Sequence, residues 1–173
     1  APGRANTLGR HADHRGAYIN PISLDREILI CFSPRDDDSI TVNNMDPSYG
    51  NRSFRIADEI PDHDASDVQD WLAWTQEKTE DRKQRDVNAD WQPKLEATPV
   101  YLQTQMPNVE LKGFDGVLTS SIFTTGLSSS SAIVVSLMEI MSFINSIDLD
   151  DQRFVQHAGA AEWYVGTRGG SGD

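Results

Sequence analysis

The chain is poor in cysteine, in basic residues and in long apolar runs. A single cysteine, Cys31, stands among 173 residues, so no disulfide can close within the chain. It lies in the apolar run Ile28-Leu29-Ile30-Cys31-Phe32, where a buried structural thiol is expected rather than a nucleophile. A reducing, cytoplasmic setting fits that scarcity. Lys and Arg number 15 against 27 Asp and Glu, for a net charge of -12. This balance excludes a nucleic-acid surface. It also means that any anion must be held by local groups, not by the overall field. No run approaches the roughly 20 apolar residues of a membrane helix, and no signal peptide is visible. There is no internal repeat.

What is present is the composition of one folded domain, with 38% hydrophobic and 24% charged residues. Residues 1–6 read as a strand and 7–16 as a polar loop; 17–21 and 26–34 read as strands. Residues 39–44 and 53–56 alternate apolar and polar, as antiparallel neighbours do. Ser66 is placed to cap a helix carrying Val68, Trp71 and Leu72. The polar stretch 77–90 reads as an exposed helix end or a loop. Residues 91–105 read as helix disturbed by Pro93 and Pro99, and 111–120 as strand. The strongest helix pattern, 127–147, is apolar on most faces and is expected at the centre of the core. Asp150 or Asp151 caps a last helix running to about Val165, with Gly166 as its terminator. Strands first, then helices around one further strand, predict an α+β fold: a mixed, largely antiparallel sheet with helices on one face.

The segment Gly126-Leu127-Ser128-Ser129-Ser130-Ser131-Ala132 joins a strand pattern to that central helix. The first amides of a helix lack intrahelical acceptors, and the macrodipole adds partial positive charge there. Such an end suits phosphate, and serine hydroxyls can serve phosphate or magnesium. Taken alone, the run equally fits a serine-rich N-cap without a ligand.

Two further segments bear on the choice. The opening Gly3-Arg4-Ala5-Asn6-Thr7-Leu8-Gly9-Arg10-His11-Ala12-Asp13-His14-Arg15-Gly16 resembles the galactokinase signature Gly-Arg-x-Asn-x-Ile-Gly-Glu-His-x-Asp-Tyr-x-x-Gly. The serine run resembles the phosphate motif of the wider GHMP kinase family of galactokinase, homoserine kinase, mevalonate kinase and phosphomevalonate kinase. The closing Glu162-Trp163-Tyr164-Val165-Gly166-Thr167-Arg168-Gly169-Gly170-Ser171-Gly172-Asp173 looks like that family's helix and Gly-rich loop ending in the catalytic aspartate. The resemblance implies the family's N-terminal, ATP-binding domain over residues 1–173, of the ribosomal protein S5 domain 2-like type. It also implies a longer parent protein, with a C-terminal domain as the missing partner, because the chain starts and stops inside motifs.

What the resemblance implies for chemistry is an ATP-dependent, magnesium-assisted sugar kinase that phosphorylates an anomeric hydroxyl. A galactokinase-like sensor without turnover is the alternative. Arg4 and Asp173 match the catalytic pair. Gly126, Leu127, Ser128, Ser129, Ser130 and Ser131 match the nucleotide-phosphate segment. Ser130 and Glu162 match the magnesium ligands; Ser131 is also possible, because this run has one serine more than usual. Arg10, His11 and Asp13 match the sugar-facing residues. Arg10 stands where galactokinases carry Glu. An arginine there can pair bidentately with a carboxylate or phosphate on the sugar, or point into solvent. The expected acceptor is a sugar with negative charge near C6, such as a uronic acid. The four tryptophans are expected in packing, and His63 and His157 have no evident partners.

Overall fold

The computed structural model describes residues 1–8, 18–85, 90–122 and 127–167, with backbone alone at 7 and 8. Five strands form one sheet: β1 (Pro2–Leu8), β2 (Asn20–Pro34), β3 (Ser39–Asn44), β4 (Arg52–Arg55) and β5 (Phe114–Ser120), in the order β1-β2-β5-β3-β4. Among the described residues only β3 and β5 pair in parallel; the other pairs are antiparallel. The intervening helices are α1 (Ile56–Glu59), α2 (Val68–Gln84) and α3 (Gln92–Gln105). After β5 come α4 (Ser129–Ile144), α5 (Asp151–Glu162) and a 3-10 turn, Trp163–Val165. This is the expected α+β arrangement.

Period-two alternation explains the sheet. In β3 and β5, Ile40, Val42, Phe114 and Leu118 point into the core, while Asp115 and Val117 face out. Parallel register sets Ile40 beside Phe114 and Val42 beside Gly116. The helices cover the inner face, and α4 supplies the centre of the core through Val134, Leu137, Met138 and Met141.

Several local expectations are corrected. The two strands expected at 17–21 and 26–34 form one, β2, from Asn20 onward. Cys31 is exposed, not buried. It pairs with the half-exposed Val117, because only alternate residues of an apolar run face the covered side. Asp67, not Ser66, caps α2 by accepting from the Gln69 amide at 2.8 Å. Ser66 is held instead by Asp64, to whose Oδ1 its hydroxyl donates at 2.7 Å. Val68 is exposed, and Trp71, Trp74 and Thr75 form the buried stripe of α2. α3 continues through Pro99, which is buried in the interior face where packing outweighs the lost hydrogen bond. α4 is shorter than expected: Ser128 precedes it in a left-handed conformation, φ 57°, and Asn145 stops it. The Asn145 side chain donates to the Met141 carbonyl at 3.0 Å and accepts from the Lys112 amide at 2.7 Å.

The entry to β5 is a close backbone approach. A Cβ at Gly113 would lie 2.0 Å from the Ser39 carbonyl oxygen. The same residue donates to the Asp37 carbonyl at 2.7 Å and accepts from the Arg35 amide at 3.0 Å. Gly113→Ala must therefore shift backbone and break these bonds. The expected cost is about 1–3 kcal/mol, read as a lower urea midpoint with an unchanged slope. An unchanged midpoint would mean that the loop between β2 and β3 yields freely.

Candidate active site

β1 brings Arg4 against the serine turn. The Arg4 amide donates to the Leu127 carbonyl at 3.2 Å, and a Cβ on Gly3 would come within 3.2 Å of that same oxygen. The first strand and the turn before α4 are thus held in backbone contact. The Arg4 side chain is half-buried beside it.

Leu127 and Ser128 lie in the turn, and Ser129, Ser130 and Ser131 make the first turn of α4. The Ser128 carbonyl accepts from the Ala132 amide at 3.0 Å, but no side chain caps the helix. Its first amides keep their donor capacity, and the macrodipole adds positive potential.

Glu162, the last residue of α5, is only 5% exposed. The hydroxyls of Ser130 and Ser131 both donate to its Oε1, each at 2.9 Å. The two segments expected to share an ion therefore meet, although 32 residues separate Ser130 from Glu162. One carboxylate flanked by hydroxyls, beside an anion-favouring helix end, is an all-oxygen donor set. It suits a hard cation that draws its other ligands from phosphates and water. Among the described residues there is no cluster of three or more His, Cys, Asp or Glu that could hold a metal without such help.

The end of α5 is clamped from two other helices. Trp71 Nε1 donates to the Ala160 carbonyl at 2.8 Å. The Tyr164 hydroxyl donates to the buried Glu96 at 2.8 Å, and the Gln92 amide group donates to the other Glu96 oxygen at 2.6 Å. Burial and then the Glu96 carboxylate raise the Tyr164 phenol well above the usual range, so it remains a donor. The Arg82 guanidinium lies 4.5 Å from the Tyr164 ring centroid and donates to the Tyr164 carbonyl. Glu59 is raised by burial and by Glu96. None of this network was evident in the sequence, since its members lie far apart along the chain.

Beside the serine turn is a cavity of about 390 Å3. Its walls include Ile28, Leu118, Ile122 and Ile133, with Met45, Tyr49 and Trp91 as softer and aromatic surfaces. Ser129 closes one side, and Asn44, Asp46 and Lys94 add polar groups. Volume and lining suit a planar heterocycle. Trp91 packs in the core, as expected, and also lines this cavity. It is buried, its Nε1 donates to the Tyr49 carbonyl at 2.9 Å, and it forms part of this wall. A second hollow, of about 460 Å3, lies at the far end of α4 between Glu139, Asp148 and Asp151. Its acidic rim is unsuited to a nucleotide.

His157 has a partner after all: its Nδ1 lies 2.9 Å from the Tyr101 hydroxyl. Burial, aided by Arg153, lowers its pKa, while burial pushes the Tyr101 phenol up to about 12. The pair braces α5 against α3. The remaining expected site residues, Arg10, His11, Asp13, Gly126 and Asp173, lie outside the described residues.

No protein-family model matches the chain. Among curated proteins it is similar to the galactokinase of Chloroflexus aggregans, 27% identical over 174 residues, covering 98% of this chain and 37% of that protein. It is also similar to the galactokinase of Glaesserella parasuis, 24% identical, covering 86% of this chain and 32% of that protein. The chain thus spans about a third of the length of these relatives. Among solved structures it superposes on Lactococcus lactis galactokinase complexed with galactose. The TM-score is 0.74 at 21% identity, with 100% of this chain and 39% of that one covered. It also superposes on Methanococcus jannaschii mevalonate kinase, with a TM-score of 0.63 at 18% identity, covering 99% of this chain and 47% of that one. In none of the helices among the described residues is there a stretch long and apolar enough to cross a membrane. The chain is thus similar in sequence to galactokinases over about a third of their length, and it shares its fold with galactokinase and mevalonate kinase.

Proposed function

We propose that the full-length protein carrying this chain is a galactokinase-like sugar kinase, and that residues 1–173 form its ATP-binding, N-terminal domain. It would transfer the γ-phosphoryl group of ATP to the anomeric hydroxyl of a hexose or hexuronic acid. The observation that carries this reading is the convergence of Ser130 and Ser131 on the buried carboxylate of Glu162, beside the uncapped start of α4. The galactokinase relatives support the same class and give the sensor alternative no support.

Each residue then has a task. The amides and hydroxyls of Ser128 to Ser131 hold the phosphate chain. Glu162 and Ser130 would hold magnesium, which when bound neutralises charge on the transferring phosphates. Arg4 stabilises charge that develops on the transferring group. Asp173 orients the sugar hydroxyl and takes its proton as the oxygen–phosphorus bond forms and the bond to the ADP oxygen breaks. Phosphoryl transfer passes through a loose transition state, so this proton moves late. Arg10, His11 and Asp13 bind the sugar, and a C6 carboxylate is the partner an arginine at position 10 best accommodates.

The test is ADP release by the full-length protein with magnesium-ATP and a panel of hexoses and hexuronic acids. Sugar-dependent turnover is expected, with a higher kcat/KM for galacturonate than for galactose. A strong preference for galactose would overturn the uronic acid assignment. No turnover with any sugar would overturn the kinase reading.

A further inference from the structure

The cavity beside the serine turn contains a cation whose role the kinase reading leaves open. Lys94 lies in the first turn of α3, its amide donating to the Trp91 carbonyl at 3.0 Å. It is the only cationic side chain among the described residues lining the cavity. One turn on, the Thr98 hydroxyl donates to the Val134 carbonyl of α4 at 3.0 Å. Val134 in turn lies one turn beyond Ser130. The starts of α3 and α4 are therefore level, and Lys94 and Ser129 border the same space.

Lys94 is half-buried. Among the described residues no carboxylate forms an ion pair with it. Asp90, whose field favours its charge, is engaged by Arg52 at 2.9 and 2.8 Å. Burial lowers the Lys94 pKa, with Asp90 opposing only in part. A half-buried charge without a close counter-ion is costly until an anion arrives. In a chain of net charge -12, a nucleotide needs such local cations to overcome the general field. A nucleobase would offer only neutral acceptors. A phosphate oxygen offers a charge-assisted bond, and the first turn of α4 beside it already favours anions.

On the nucleotide reading given above, we propose that Lys94 binds the phosphate chain of the nucleotide, so that α3 and α4 hold it between an ammonium and a helix end. Lys94 then determines the affinity for the charged part of the ligand, while Trp91 and Tyr49 serve the base.

Calorimetric titration of the full-length protein with ADP and with adenosine separates these contributions. Lys94→Met should weaken ADP by about tenfold to a hundredfold and leave adenosine within about threefold. Lys94→Gln should do the same, and Lys94→Arg should restore most ADP affinity. Matching thermal melts establish that the variants fold, and Lys94→Arg tests charge with the side chain's bulk retained. Equal losses for adenosine and ADP would assign Lys94 to the base or ribose and overturn the proposal. So would unchanged ADP affinity in the neutral variants. Wild-type protein that binds neither ligand would overturn the nucleotide reading itself, and this proposal with it.

Discussion

Glu162→Ala in the full-length protein should lower kcat by at least about a hundredfold while leaving the fold intact. The carboxylate is 5% exposed, and the Ser130 and Ser131 hydroxyls meet on one of its oxygens. A packing role alone would not require a buried anion at a helix end that itself attracts anions. Glu162→Gln makes the test sharper. The amide oxygen can still accept from both serines, so stability is retained, but the negative charge is lost. If kcat falls in both variants and the melting temperature of the glutamine variant is unchanged, charge at position 162 is required for turnover. Near-normal turnover in either would remove Glu162 from the site. The serines should separate as well. Both serines reach Glu162, but Ser131 is buried, whereas Ser130 is half-buried and more open to a bound ion. Ser130→Ala should therefore reduce kcat more than Ser131→Ala.

The parts of this site that were legible in the sequence are those with local chemistry. Four serines between a strand pattern and an apolar helix mark a helix start whatever surrounds them, and Glu162 is reached by matching a family motif. Period-two patterning gave β3 and β4 for the same reason, since burial of alternate residues is written into neighbouring positions. What stayed hidden depends on pairs distant in sequence. The Gln92–Glu96–Tyr164 chain joins α3 to the turn after α5 across 68 residues. Trp91 has the composition of a core residue and becomes a cavity wall only through the position of Tyr49. Cys31 was misjudged because a continuous apolar run carries no sign of which face is covered. Ser66 lost the cap to Asp67 because Asp64 binds the serine first, a competition between side chains one or two residues apart.

The largest stability effect should come from Trp71. It is 1% exposed, and its ring centroid lies 5.3 Å from that of Trp74, 5.2 Å from Tyr101 and 6.4 Å from Tyr164. It therefore ties α2 to α3 and to the turn after α5. Trp71→Ala removes a buried indole from a cluster of other aromatics that cannot collapse into the space. The expected loss is about 3–5 kcal/mol, a large fraction of the stability of an ordinary domain. Trp71→Phe distinguishes packing from hydrogen bonding. The phenyl ring keeps much of the stacking, but the Ala160 carbonyl loses the Nε1 donor that reached it at 2.8 Å. That loss should cost about 1–3 kcal/mol. Ala160 lies two residues before Glu162, so freeing its carbonyl loosens the end of α5 that presents the carboxylate to Ser130 and Ser131. The phenylalanine variant should thus lose kcat while its KM for the sugar stays close to wild type, at temperatures where it remains folded. Urea unfolding gives the stability term, and steady-state kinetics give the positional one. If Trp71→Phe matches wild type in both, the Trp71–Ala160 bond does not anchor α5, and the position of Glu162 is set by the other contacts, the Tyr164–Glu96 and Tyr101–His157 bonds among them.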